Sequence, residues 1–149
     1  MILPLAMLLQ TAPACTAVAS PPSGLEAWSK APVALSGAIT AGNGVELSLK
    51  PTTTFTFALP PERTPAADTF GGVWPLTIKT AGTYRVALGA GTWIDMIRDG
   101  KSLQSVGHME GPACSGIRKI VDFALTPGTY QLQLSGAKQS SIRMLVVSR

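Results

Sequence analysis

Two stretches of this 149-residue chain repeat one pattern. Ala81-Gly82-Thr83-Tyr84-Arg85-Val86-Ala87-Leu88 and Pro127-Gly128-Thr129-Tyr130-Gln131-Leu132-Gln133-Leu134 each place a glycine turn before a tyrosine and then alternate aliphatic with other residues. A period of two puts alternate side chains on one face of a strand. A tyrosine at such a corner packs its ring inside and hydrogen-bonds its hydroxyl back to the preceding loop. Neither half of the chain can bury a core alone, so the repeat predicts one corner used twice within a single sandwich.

The remaining segments read the same way. A short strand is expected at Val33–Leu35, after an anchoring turn at Leu25–Trp28. The Gly42-Asn43-Gly44 turn opens an alternating run at Val45–Leu49, and a second run follows at Thr54–Leu59 with Phe55, Phe57 and Leu59 on one face. Pro60–Gly72 is rich in polar and breaker residues and reads as a surface loop whose Glu62, Arg63 and Asp68 are solvated. Trp74, Leu76 and Ile78 line a strand that Pro75 marks as an edge. Tyr84–Leu88 and Trp93–Ile97, joined through Gly89-Ala90-Gly91, read as an antiparallel hairpin ending at the Asp99-Gly100 turn. Trp93–Ile97 carries apolar residues on both faces, which predicts a central or covered strand. Further strands are expected at Ser102–His108, Ile117–Leu125, Thr129–Leu134 and Ile142–Val147. The fold class that follows is all-β: a single antiparallel β-sandwich, jelly-roll-like, of about eight strands over residues 33–149.

Ahead of that domain, Ile2–Leu9 is an apolar run followed by the small-x-small patterns Ala12-Pro13-Ala14 and Ala17-Val18-Ala19. Residues 1–14 therefore read as a secretory signal peptide, with cleavage near Ala14 or Ala19, and 15–32 as a linker and anchor. The run is too short to span a bilayer as a helix, and no transmembrane segment is expected. Export to the periplasm or beyond makes Cys15 and Cys114, the only two cysteines, candidates for a disulfide. Closing so long a loop is worth about 4–5 kcal/mol in the chain-entropy model. The alternative is a lipid anchor on Cys15.

Only 13% of residues are charged, 46% are hydrophobic, and the formal net charge is +4. Arg118-Lys119 is the one pair of adjacent basic residues, so no basic stripe with interleaved aromatics exists and no nucleic-acid partner is expected. The run of short strands ending in Gly-Thr-Tyr corners resembles pre-peptidase C-terminal domains and related jelly-roll sandwiches. TWIDMIRDGK followed by CSGIRKIVDFALTPGTYQLQLSG is similar to a set of small exported bacterial proteins, some of them labelled homogentisate 1,2-dioxygenase. That label implies an iron held by two histidines and a carboxylate. His108 is the only histidine, so the residues do not support it.

The chemistry-bearing side chains gather around the central segment: Trp93, Asp95, Asp99, His108, Arg118 and Lys119, with Glu110 beside them. They predict a site for a polar ligand, with Asp95 otherwise free to pair with Arg118 or Lys119 across strands. No nucleophile elbow, phosphate-cradling loop or spaced Cys/His set is present, and no catalytic residue, metal or cofactor is assigned. The function expected is an exported, non-catalytic binding module for an envelope protein or glycan. The alternative is a metal-dependent or hydrolytic enzyme using His108 with nearby carboxylates. The sequence leaves the oligomeric state open.

Overall fold

A computed structural model describes residues 14–35 and 37–149. The apolar run at Ile2–Leu9, and all but the last residue of the expected signal segment, lie outside the described residues. Among the described residues the chain forms eleven strands: β1 (Val33–Ala34), β2 (Val45–Ser48), β3 (Lys50–Pro51), β4 (Phe70–Ile78), β5 (Gly82–Leu88), β6 (Trp93–Arg98), β7 (Lys101–Leu103), β8 (Gly107–Glu110), β9 (Lys119–Leu125), β10 (Gly128–Ala137) and β11 (Ser141–Ser148). The first sheet runs β1-β2-β11-β5-β9-β8 and the second β3-β4-β10-β6-β7. The framework is the pair of four-strand sets β2-β11-β5-β9 and β4-β10-β6-β7. That order is a jelly roll, and the strands β1, β3 and β8 extend its edges. Every pairing is antiparallel except β1 with β2, which is parallel.

The core lies between the sheets, as alternation requires. Val86, Leu88, Val121, Phe123, Met144 and Val146 meet Leu76, Met96, Leu132 and Leu134 from the opposite side. The two tyrosine corners supply one buried ring from each sheet. Tyr84 Oη donates to the Thr80 carbonyl at 2.7 Å, and Tyr130 Oη donates to the Thr126 carbonyl at 3.0 Å. Arg98 Nη1 also donates to Tyr130 Oη at 2.9 Å. Burial opposes ionisation of that phenol, but its bonds with Thr126 and the Arg98 charge outweigh burial and lower its pKa.

Three sequence expectations change. Tyr84–Leu88 and Trp93–Ile97 do not form a hairpin, because β5 belongs to the first sheet and β6 to the second. Gly89 N–H still donates to Arg143 of β11, whereas Thr92 Oγ1 already donates to Ser135 of β10. The four residues between the strands thus cross from one sheet to the other, which lets both strands aim their apolar faces into one core. The tight hairpin is β6–β7, turned by Asp99 and Gly100 at positive φ of 51° and 72°. Ser102–His108 is likewise not one strand: β7 stays in the second sheet and β8 joins the first. Finally, Thr54–Leu59 is not a strand. After a 3-10 turn at Thr52–Thr54, residues 55–59 form an irregular strap on the outer face of the second sheet. A Cβ at Gly71 would collide with the Leu134 carbonyl and touch the Phe55 ring, so glycine permits this close approach. Pro75 does mark an edge, since beyond the two-residue β3 only an isolated bridge from Ile39 flanks β4.

The outer face of the first sheet is covered by the N-terminal anchor. Leu25 and Trp28 pack on Ala87, Ile120, Leu145 and Val147. Trp28 therefore seals a second apolar cluster, separate from the main core. Its Nε1 donates to the Ser115 carbonyl at 3.1 Å, and Arg143 lies 4.4 Å from the ring centroid while bonding the Trp28 carbonyl. Cys15 and Cys114 form the disulfide, with Cα atoms 5.6 Å apart. A sulfur in a disulfide has no valence left for a lipid thioether, so this bridge and the anchored alternative exclude each other. Disulfides belong to oxidising compartments. Among the described residues no helix is long and apolar enough to cross a membrane.

Candidate functional site

The two changes of sheet, β5 to β6 and β7 to β8, leave one side of the sandwich open. A cleft of about 750 Å³ lies there, between β6–β7 of one sheet and β8–β9 of the other. Ile94, Leu103, Val121 and Phe123 form its apolar floor, where the core reaches the opening. Ser102, Gln104, Ser105 and His108 bring hydroxyl, amide and imidazole groups to the rim, and the strap adds Leu59, Pro60 and Glu62. Trp93, Asp95 and Lys119 complete it.

Of the residues that the sequence groups together, Trp93, Asp95, His108 and Lys119 share this cleft. Asp99 does not: its side chain is 92% exposed at the β6–β7 turn, and its carboxylate lies 3.8 Å from Arg98 Nε. Arg118 bonds Glu110 at 3.2 Å, and both line a separate hollow beside the Cys114 turn. Among the described residues no three His, Cys, Asp or Glu side chains come close enough to hold a metal ion together.

Asp95 pairs with neither Arg118 nor Lys119: Arg118 is held by Glu110, and the Lys119 ammonium bonds the Thr92 carbonyl. Although Asp95 is only 8% exposed, its partners are neutral donors. Trp93 Nε1 and Ser102 Oγ donate to Oδ1 at 3.2 and 3.3 Å, and Gln133 Nε2 donates to Oδ2 at 3.2 Å. Gln133 is fully buried and carries the network to the strap. Its Nε2 donates to the Leu59 carbonyl at 2.9 Å, and its Oε1 accepts from Ala58 N at 2.8 Å and Leu59 N at 3.4 Å. The carboxylate thereby holds the indole, the β7 edge and the strap in one arrangement.

Lys119 reaches across the open side. Its Nζ donates to the Thr92 carbonyl at 3.1 Å and lies 5.6 Å from the Trp93 ring centroid. Burial lowers its pKa, and the neighbouring Arg118 charge lowers it further. Arg63, read from sequence as a solvated charge, lies 5.7 Å from the same centroid. With Trp93, Thr92 and Ser135 it lines a smaller hollow of about 300 Å³. Trp93 is thus common to both hollows.

Sequence reasoning missed Gln133 and Arg63. In TYQLQL both glutamines alternate with leucine and read as solvent-facing, yet Gln131 is exposed and Gln133 is covered. The signal available was the second apolar run, Phe55, Phe57 and Leu59, which needs a surface to lie on. Comparison with protein-family models, curated proteins and solved structures found no match to the chain.

Proposed function

We propose that this protein is an exported, non-catalytic jelly-roll module that binds an oligosaccharide of the cell envelope in the cleft at Trp93. The composition of the cleft carries this reading: an apolar floor and an indole are surrounded by hydroxyl, amide and imidazole groups. A sugar ring has the matching character, with C–H faces that rest on apolar and aromatic surface and hydroxyls that bond to a polar rim. Export is supported by the Cys15–Cys114 bridge, since disulfides persist in oxidising compartments.

A binding role is favoured over catalysis by the state of the reactive groups. Among the described residues no hydrogen bond orients the His108 imidazole, and Cys114 is spent in the disulfide. The Asp95 oxygens are occupied by three donors. A general base normally needs an orienting partner and a free acceptor atom.

Screening the folded chain against an array of envelope oligosaccharides tests the proposal. A restricted set of glycans should be retained, and Trp93→Ala should weaken retention by about tenfold or more. Retention of no glycan, or equal retention by Trp93→Ala, would overturn it.

A further inference from the structure

Two cations flank the Trp93 ring, Lys119 and Arg63, and neither has a carboxylate partner among the described residues. Arg85, Arg98, Arg118 and Arg149 each have one, Arg143 bonds the Trp28 and Lys30 carbonyls instead, and the other lysines are exposed to water. The local acids do not fill the gap. Asp95 is engaged by neutral donors, and Glu62, next to Arg63 in sequence, forms no ion pair among the described residues.

Lys119 is half-buried, so part of its hydration is lost, and a single carbonyl together with the face of an indole replaces only some of it. An ammonium carries three donors, and a partly desolvated cation is stabilised most by an anion. Arg63 presents a planar fork suited to two oxygens of one acid group. The indole holds both charges at one place, one in each of the two hollows that Trp93 joins.

We infer that the ligand is an acidic oligosaccharide, which lies across Trp93 and places acid groups against Lys119 and Arg63. This rests on the oligosaccharide reading above and adds the charge of the ligand to it. The polar rim at Ser102, Gln104 and His108 takes the sugar hydroxyls, and the two cations select the acidic members of a glycan mixture.

Calorimetric titration of the disulfide-bonded chain with oligogalacturonate, with its methyl ester of the same length and linkage, and with sodium sulfate tests this. The acid form should bind about tenfold tighter than the ester, as one charge-assisted hydrogen bond supplies. Its advantage should shrink as salt is added and vanish in Lys119→Gln and in Arg63→Gln, the latter with an unchanged melting temperature. Arg63 lies in an exposed loop, so its variant keeps the test decisive if Lys119→Gln fails to fold. Equal binding of acid and ester would overturn the charge inference and leave the oligosaccharide reading standing. Binding of neither would overturn both. Displacement of the acid form by sodium sulfate at matched ionic strength would reduce the site to one for simple anions and overturn the inference.

Discussion

Asp95 shows how much a single buried acceptor can organise. Removing it in Asp95→Ala leaves the Trp93, Ser102 and Gln133 donors without their acceptor in a covered site. Urea denaturation should register a loss of about 2–3 kcal/mol. Lys119 makes a different prediction, because its charge is disfavoured by folding. Its folded pKa is lowered, so between that value and the unfolded value of about 10.4 the unfolded chain binds more protons. Stability contributed by this residue therefore rises with pH through that window. Thermal melts from neutral pH to about pH 10 should move in favour of the wild-type chain relative to Lys119→Gln. The candidate site was half legible at this scale. Trp93, Asp95, His108 and Lys119 carry the chemistry expected of a polar site and do come together. Asp99 is carried out to solvent by the β6–β7 turn, and Arg118 is one step from Lys119 and so faces the other way, toward Glu110. Gln133 and Arg63 gave no local sign, since the partner of each is distant in sequence: the strap for Gln133 and Trp93 of β6 for Arg63.

Among the elements, the two tyrosine corners are unequal despite their common motif. The Tyr84 hydroxyl has one partner, the Thr80 carbonyl, whereas Tyr130 bonds Thr126 and Arg98. Tyr84→Phe should cost about 1 kcal/mol and Tyr130→Phe about 2 kcal/mol in chemical denaturation, since a bond to a charged group is worth more. The strap over the second sheet depends on Gln133 for both of its bonded amides. Gln133→Leu should speed hydrogen exchange at Ala58 and Leu59 well before it affects the amides of β10 itself. The strands could be read because alternation and glycine turns are local properties of the chain. Which sheet each strand joins could not. Gly89–Thr92 carries turn residues whether the chain folds back on the same sheet or crosses to the other, and only the demand that Val86 and Met96 share one core decides. The alternation of Phe55, Phe57 and Leu59 misled for the same reason: a strap that rests on a sheet buries every second residue as a strand does.

At the level of the whole molecule, two apolar layers stack on the first sheet, the main core on one side and the Leu25–Trp28 anchor on the other. Trp28→Ala should destabilise by about 3–5 kcal/mol through loss of a buried aromatic, and should make the segment before Val33 sensitive to protease. The disulfide holds that segment at a second point, through a separation of 99 residues. Cys114→Ser should lower stability by about 4–5 kcal/mol if the chain-entropy term dominates, with native circular dichroism retained at room temperature.

The position of the bridge also acts as a ruler on maturation. Were the chain exported as proposed, a leader peptidase cutting after Ala14 would leave Cys15 as the first residue of the mature chain and keep the clasp intact. A cut after Ala19, the other small-x-small pattern, would discard Cys15 and leave Cys114 as a lone thiol. The strand that follows Cys114 lines the candidate cleft, so the choice between two peptide bonds would decide whether that wall is tethered or free.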